Sequence, residues 1–338
     1  GDLSKHQKGL LAVRVLNWKT AKEWIMSVSP RQMEETDQPF APLLKSLVDE
    51  AEYIIIGPQN FESASQSLLN HRSTFGSDLL TTSYVPLEEI YIEFLDENNS
   101  EAEAILAFFE NAVNNWSDSL AFALLMGDIE FVPTMYRGAG EYEYASDDLL
   151  AAIDGDIPAV ALGRYPARNV ADVEAFVEKI IAYETNPELG LWRNLITLAA
   201  DDVERPVAND TEHIEYSDSL AINYIPSFIN VQKIYLTEYS EVSDASAYGV
   251  VKPGATQALF DALDNGTAII NYIGHGSSSS WAQEKLLQKD RGDLQFINTG
   301  MKLPIWIAGT CSWGQFDNPN TDAFSEDIIR LPMNGASA

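Results

Sequence analysis

Two short patterns near the end of the chain carry side chains able to do covalent chemistry. The apolar run Ala268-Ile269-Ile270-Asn271-Tyr272-Ile273 stops at Gly274-His275-Gly276, and four serines, Ser277 to Ser280, follow. The run Pro304-Ile305-Trp306-Ile307-Ala308 stops at Gly309-Thr310-Cys311-Ser312-Trp313-Gly314, which holds the chain's only cysteine. A thiol attacks as its thiolate, and an imidazole within reach supplies the base that makes one. His275 and Cys311 are therefore a candidate base and nucleophile. Gly274 and Gly276 let a substrate backbone come close, and the N–H groups of Gly276 and Cys311 are candidates for an oxyanion hole. Taken singly, a lone cysteine is usually a small buried apolar residue and a lone histidine a hydrogen-bonded core or surface group. Two glycine-ended runs, each carrying one half of a dyad, are harder to dismiss.

Other chemistries fit less well. Gly274-His275-Gly276 begins like a dinucleotide loop, but Ser279 stands where a third glycine is wanted. There is no Gly-x-Ser-x-Gly elbow and no Gly-Lys-Ser/Thr phosphate loop, and the four histidines are scattered without a zinc spacing, so no metal ligand is assigned. Asp147, Asp148, Asp154 and Asp156 offer hard oxygens that could hold calcium, although surface acidity accounts for them as well. No cofactor is required by Cys-His chemistry.

Short apolar runs separated by amphipathic stretches must position the two tips, the rhythm of parallel strands covered by helices. The class is α/β. Strands are expected at Leu10 to Val15, Tyr53 to Ile56, Ile90 to Phe94, Phe122 to Met126 and Ala159 to Leu162, followed by a helix from Val170 to Tyr183 capped by Asn169. The turn formers from Glu184 to Gly190 mark a boundary, giving an N-terminal α/β subdomain over 1–187 and a C-terminal catalytic one over 188–338. Strands resume at Leu195 to Ala199, Val231 to Leu236, Ala268 to Ile273 and Pro304 to Ile307, with helices over Thr211 to Ile222 and Ala255 to Asp264. Both reactive tips then lie at strand carboxyl ends, where open α/β sheets gather ligands.

Composition bounds the partners. Among 338 residues, 46% are hydrophobic, enough for a sizeable core, and 51 Asp and Glu against 21 Lys and Arg give a formal net charge of −30. That charge repels nucleic acid backbones and anionic lipid, so nucleic acid is not an expected partner. One cysteine makes no internal disulfide, and no apolar run is long enough to span a bilayer. The start at Gly1, without an initiator methionine, suggests a processed or trimmed chain, a removed signal being one way to reach it.

The blocks Asn271 to Gly276 with Trp281, then Leu303-Pro304 through Thr310-Cys311-Ser312-Trp313-Gly314-Gln315-Phe316-Asp317, resemble the histidine and cysteine blocks of gingipain-type peptidases. Upstream, Leu124 to Asp128, Val132-Pro133-Thr134, Ser146-Asp147-Asp148, Gly163-Arg164-Tyr165-Pro166 and Lys179 to Glu184 resemble that family's preceding subdomain. The resemblance implies a caspase-like fold with two adjacent, mainly parallel α/β subdomains, and thioester chemistry on peptide or protein substrates. It implies an extracellular or outer-surface location and type IX secretion machinery as a partner. It also implies an acidic residue after the first strand of the second half that orients the histidine, here Asp202 in preference to Asp201. Asp210 matches a carboxylate of the first specificity pocket, and as a plain residue it would cap the helix starting at Thr211. The chain stops at Ala338, short of a further strand and pocket residues expected of the family. Two other roles stay open at this point: a surface sortase trimming type IX cargo, and an inactive binding or assembly module.

Overall fold

The computed structural model describes residues 50–117, 119–155, 157–202, 211–245 and 249–337. The expected strand at Leu10 to Val15 lies outside them. Within them the backbone forms two four-stranded sheets, each parallel throughout.

The first sheet contains β1 (Tyr53–Gly57), β2 (Thr82–Pro86), β3 (Phe122–Met126) and β4 (Ala161–Tyr165) in the order β2-β1-β3-β4. Successive side chains of a strand face opposite sides of its sheet. Ile54 and Ile56 pack with Val85, Ile105, Phe109 and Leu125, whereas Ile55 packs on the other face with Leu68, Tyr84, Met126 and Phe176. Helices α1 (Glu62–Thr74), α2 (Leu87–Phe94), α3 (Glu101–Asn115) and α4 (Val170–Thr185) supply the layers. Asn169 caps α4 by accepting the Asp172 N–H at 3.0 Å.

The stretch Ile90 to Phe94, expected as a strand, is the second half of α2. Leu87, Ile90 and Tyr91 are buried and Phe94 packs against the same core, a spacing that makes one helical face. The strand is instead Thr82–Pro86, whose polar start hid it. The strand expected at Ala159 to Leu162 runs two residues later, because Arg164 sits inside it with its guanidinium fully engaged. It donates to Asp147 at 2.7 Å through both Nε and Nη2, and to the Gly127 and Val132 carbonyls.

The second sheet contains β5 (Leu195–Ala200), β6 (Asn230–Tyr235), β7 (Ile269–Ile273) and β8 (Ile305–Gly309) in the order β8-β7-β5-β6. Relative to chain order, this is the topology of the first sheet. Between β5 and β6 lies α5 (Glu212–Ser219), whose end loosens into a π turn at Leu220–Tyr224. α6 (Pro253–Asn265) and α7 (Phe324–Arg330) cover the opposite face. The chain leaves β5 toward β6 and returns to the other side for β7, so the carboxyl ends of β5 and β7 flank a switch point, where such sheets open a crevice.

α7 fastens the second half to the first. The buried Lys179 of α4 donates to the carbonyls of Ile329, Leu331 and Asn334, the first at 2.6 Å. Arg330 donates to the Pro166 carbonyl at 3.0 Å and to Asp128 at 3.3 Å. Among the described residues no helix is long and apolar enough to cross a membrane.

Candidate active site

β7 and β8 pair in parallel with Ile273 opposite Gly309. His275 and Cys311 each stand two residues beyond that pair, and the Gly274 N–H extends the ladder to the Gly309 carbonyl at 3.3 Å. A methyl group on Gly276 would fall 2.4 Å from Thr310 Oγ1 and 2.9 Å from the Ser280 carbonyl oxygen. The histidine loop thus rests directly on the residue before Cys311, and only hydrogen fits between them. Cys311 is exposed, unlike a packing cysteine. Ser312 after it takes φ 54°, the left-handed region that L side chains seldom adopt and that clusters at functional turns.

A shared aromatic platform holds both tips. Trp281 is fully buried, stacks on Tyr272 at 4.4 Å and meets Trp306 of β8 at 5.6 Å and Trp313 of the cysteine loop at 4.9 Å. The His275 carbonyl accepts from the Tyr272 hydroxyl at 2.7 Å and the Ala282 N–H at 2.8 Å, so the backbone carrying the imidazole is tied on two sides.

The acids after β5 divide between two tasks. Asp201 continues the ladder, its N–H donating to the Ile273 carbonyl at 3.1 Å. Its Oδ2 accepts the His275 backbone N–H at 3.0 Å and its Oδ1 the Asp202 N–H at 2.9 Å. Burial pushes the Asp201 carboxyl up to about 6, against the pull of those two amides. Asp202, preferred from sequence as the partner of His275, turns its Oδ2 to the buried Lys252 Nζ, which also donates to the Leu236 carbonyl at 2.8 Å. The carboxylate brought within 4.8 Å of a His275 ring nitrogen is that of Asp201. Adjacent residues of an extended chain face opposite ways, which sets the Asp201 carboxylate near the ring and the Asp202 carboxylate on Lys252. Asp210 and Asp156 lie outside the described residues. Asp147, considered for calcium, is held on both oxygens by Arg164.

A family model, described as peptidase family C25, matches residues 46–338. The chain belongs to peptidase family C25. Gingipain R2 of Porphyromonas gingivalis is 23% identical over 286 residues, which are 83% of this chain and 35% of that protein. A Lys-gingipain of the same species is 23% identical over 242 residues, 70% of this chain and 13% of its own. The crystal structure of the Arg-specific cysteine proteinase gingipain R superposes with a TM-score of 0.64 at 20% identity, covering 85% of this chain and 61% of that one. The complex of Porphyromonas gingivalis RgpB pro- and mature domains gives 0.64 at 21% identity, over 85% of this chain and 62% of that one. These likenesses establish the caspase-like fold, and the chain spans about a third of the length of Gingipain R2.

In this C25 chain the crevice also holds residues that sequence reasoning missed. His213, inside the helix expected over Thr211 to Ile222, is half-buried with its ring edge-on to His275 at 4.8 Å. Glu284 lies beside Asp201 and Asp202, and burial, then Asp202, pushes its carboxyl up to about 7. No local motif announced either residue. The available signal was topological: α5 follows β5, so its first turn must begin near the switch point.

Proposed function

We propose that this chain is the catalytic core of a secreted or surface-exposed cysteine endopeptidase, with Cys311 as nucleophile, His275 as general base and acid, and Asp201 orienting the imidazole. The observation that carries this reading is the in-register pairing of Ile273 with Gly309, which sets His275 and Cys311 at equivalent positions on adjacent strand ends. His275 takes the Cys311 proton, and the thiolate attacks the scissile carbonyl carbon. The N–H groups of Gly276 and Cys311 hold the oxyanion. As the C–N bond breaks, the imidazolium gives its proton to the leaving amine, and a thioester remains. Water attacks the thioester, its proton passes to His275, and the acid product leaves with the thiol restored. No cofactor enters these steps.

The relatives' names, Arg-specific proteinase and Lys-gingipain, support a cationic residue before the cut, with Asp210 as its pocket carboxylate. The net charge of −30 agrees with cationic peptide substrates drawn in by the field of the protein. A mixed peptide library incubated with the protein and with Cys311→Ala tests the reading. Cuts clustered after Arg or Lys and absent with the variant are expected. No cuts by the folded wild-type protein, or equal cuts by both, would discard it in favour of a binding module.

A further inference from the structure

His213 stands 62 residues before His275 in the chain, yet the fold brings the two rings edge to edge at 4.8 Å with an interplanar angle of 89°. One nitrogen from each ring and one Asp201 oxygen all lie within 4.8 Å of one another. Asp201 is buried, and both histidines are half-buried, so the three converge in the crevice rather than on an open face. His213 Nδ1 is closed to solvent and has no hydrogen-bond partner among the described residues. A buried nitrogen without a partner is uncommon in folded proteins and marks a place where a ligand would be stabilised.

We propose that His213, His275 and Asp201 form a binding site for a divalent transition-metal ion of the zinc class, and that the ion reversibly inhibits the enzyme by occupying the imidazole its chemistry needs. Two imidazoles and a carboxylate suit a borderline metal such as zinc, which takes three protein ligands and leaves a fourth position open. Bonds of about 2.0–2.1 Å in tetrahedral geometry place donors roughly 3.4 Å apart, a modest contraction of the present cluster.

The surroundings favour the charge. Asp201 Oδ2 accepts the His275 N–H and, at 3.5 Å, the Tyr272 hydroxyl, while Oδ1 accepts the Asp202 N–H, which fixes the carboxylate and leaves Oδ1 a lone pair. His213 lies in the first turn of α5, where the positive helix end would oppose a cation, but Glu212 and Glu215 in the same turn offset it. A nitrogen lone pair given to a metal cannot take a thiol proton, so metal occupancy and turnover exclude each other. That consequence rests on the proposed peptidase function, whereas metal binding itself does not.

The test separates the two. In the Cys311→Ala protein, which removes the competing thiol, Zn²⁺ is titrated by calorimetry and Co²⁺ by its visible absorption. About one equivalent with tetrahedral cobalt bands is expected. His213→Gln and His213→Asn, each checked for an unchanged melt, should weaken binding at least about tenfold. In the wild-type enzyme, Zn²⁺ should abolish peptide cleavage over the same concentration range, while His213→Gln, with cleavage expressed as a fraction of its own metal-free rate, should lose the sensitivity. Absent binding, or binding that both His213 variants retain, overturns the site whatever the enzyme does. Binding at the site with no effect on cleavage overturns the inhibition. Tight binding by a protein that cleaves nothing even without metal leaves the site standing and removes the peptidase reading.

Discussion

Asp201 Oδ2 accepts the backbone N–H of His275 at 3.0 Å, tying the carboxyl end of β5 to the loop that carries the imidazole. Asp202, one residue on, is committed to Lys252. The two aspartates should therefore fail differently. Asp201→Asn should lower kcat/KM by about 10²–10⁴ with a modest change in melting temperature. Asp202→Asn leaves a buried lysine without its counter-charge and should cost about 3 kcal/mol of stability while sparing much of the turnover. Paired kinetics and denaturant melts of both variants check this, and a reversed pattern would restore Asp202 as the orienting residue.

Gly276 has no room for a side chain against Thr310. Gly276→Ala should force the histidine and cysteine loops apart, costing about 1–3 kcal/mol and most of the activity. Gly163→Ala in β4, where a methyl group meets nothing within 4 Å, should melt within about 0.5 kcal/mol of the parent. Equal melting and activity in both variants would show that the loops are not in contact.

Stability should also depend on pH through α7. Glu326 is buried between Asp128 and Arg330, with Arg330 Nη1 at 3.9 Å from its Oε1. Burial, with Asp128 adding to it, holds its carboxyl well above the usual range despite the Ala323 N–H donated to it. A carboxyl raised in the fold stabilises it fully below its unfolded value of about 4.3, and that stability is lost as pH rises through neutrality. Thermal melts should fall between pH 5 and pH 8, about, and Glu326→Gln should flatten the slope. A slope unchanged in the variant would assign it to other groups.

The preference for a cationic residue before the cut is testable at Asp210. Asp210→Asn should lower kcat/KM for arginyl or lysyl substrates by about tenfold or more relative to neutral ones. If the ratio does not move, Asp210 does not read the substrate.

Much of the site was legible because it lies where apolar runs stop. The run ending at Ile273 is a largely covered inner strand and the run ending at Ala308 is an edge strand that leaves Ile305 and Ile307 exposed, and glycine at each end forced the turn that presents His275 and Cys311. The different surroundings of Asp201 and Asp202 were not legible, since they depend on which way an extended chain faces as it leaves the sheet. His213 was hidden for a different reason: its proximity to His275 is created by the pairing of β5, after which α5 begins, with β7, and no local spacing encodes it. The error at Ile90 to Phe94 came from a short apolar run that fits either period. The burial of Leu87, Ile90 and Tyr91 on one helical face decides it.

The central claim is that Cys311 is a nucleophile activated by His275, and the rate of its covalent capture tests it most directly. Native protein is treated near neutral pH with a peptidyl chloromethylketone, and the adduct is followed by intact mass and peptide mapping, in parallel with His275→Ala. The account predicts one adduct, on Cys311, formed fast in the wild-type protein, suppressed in the variant, and partly recovered in the variant at alkaline pH as the thiol ionises unaided. A thiol that resists capture until the protein unfolds, or one captured equally fast without His275, would contradict it.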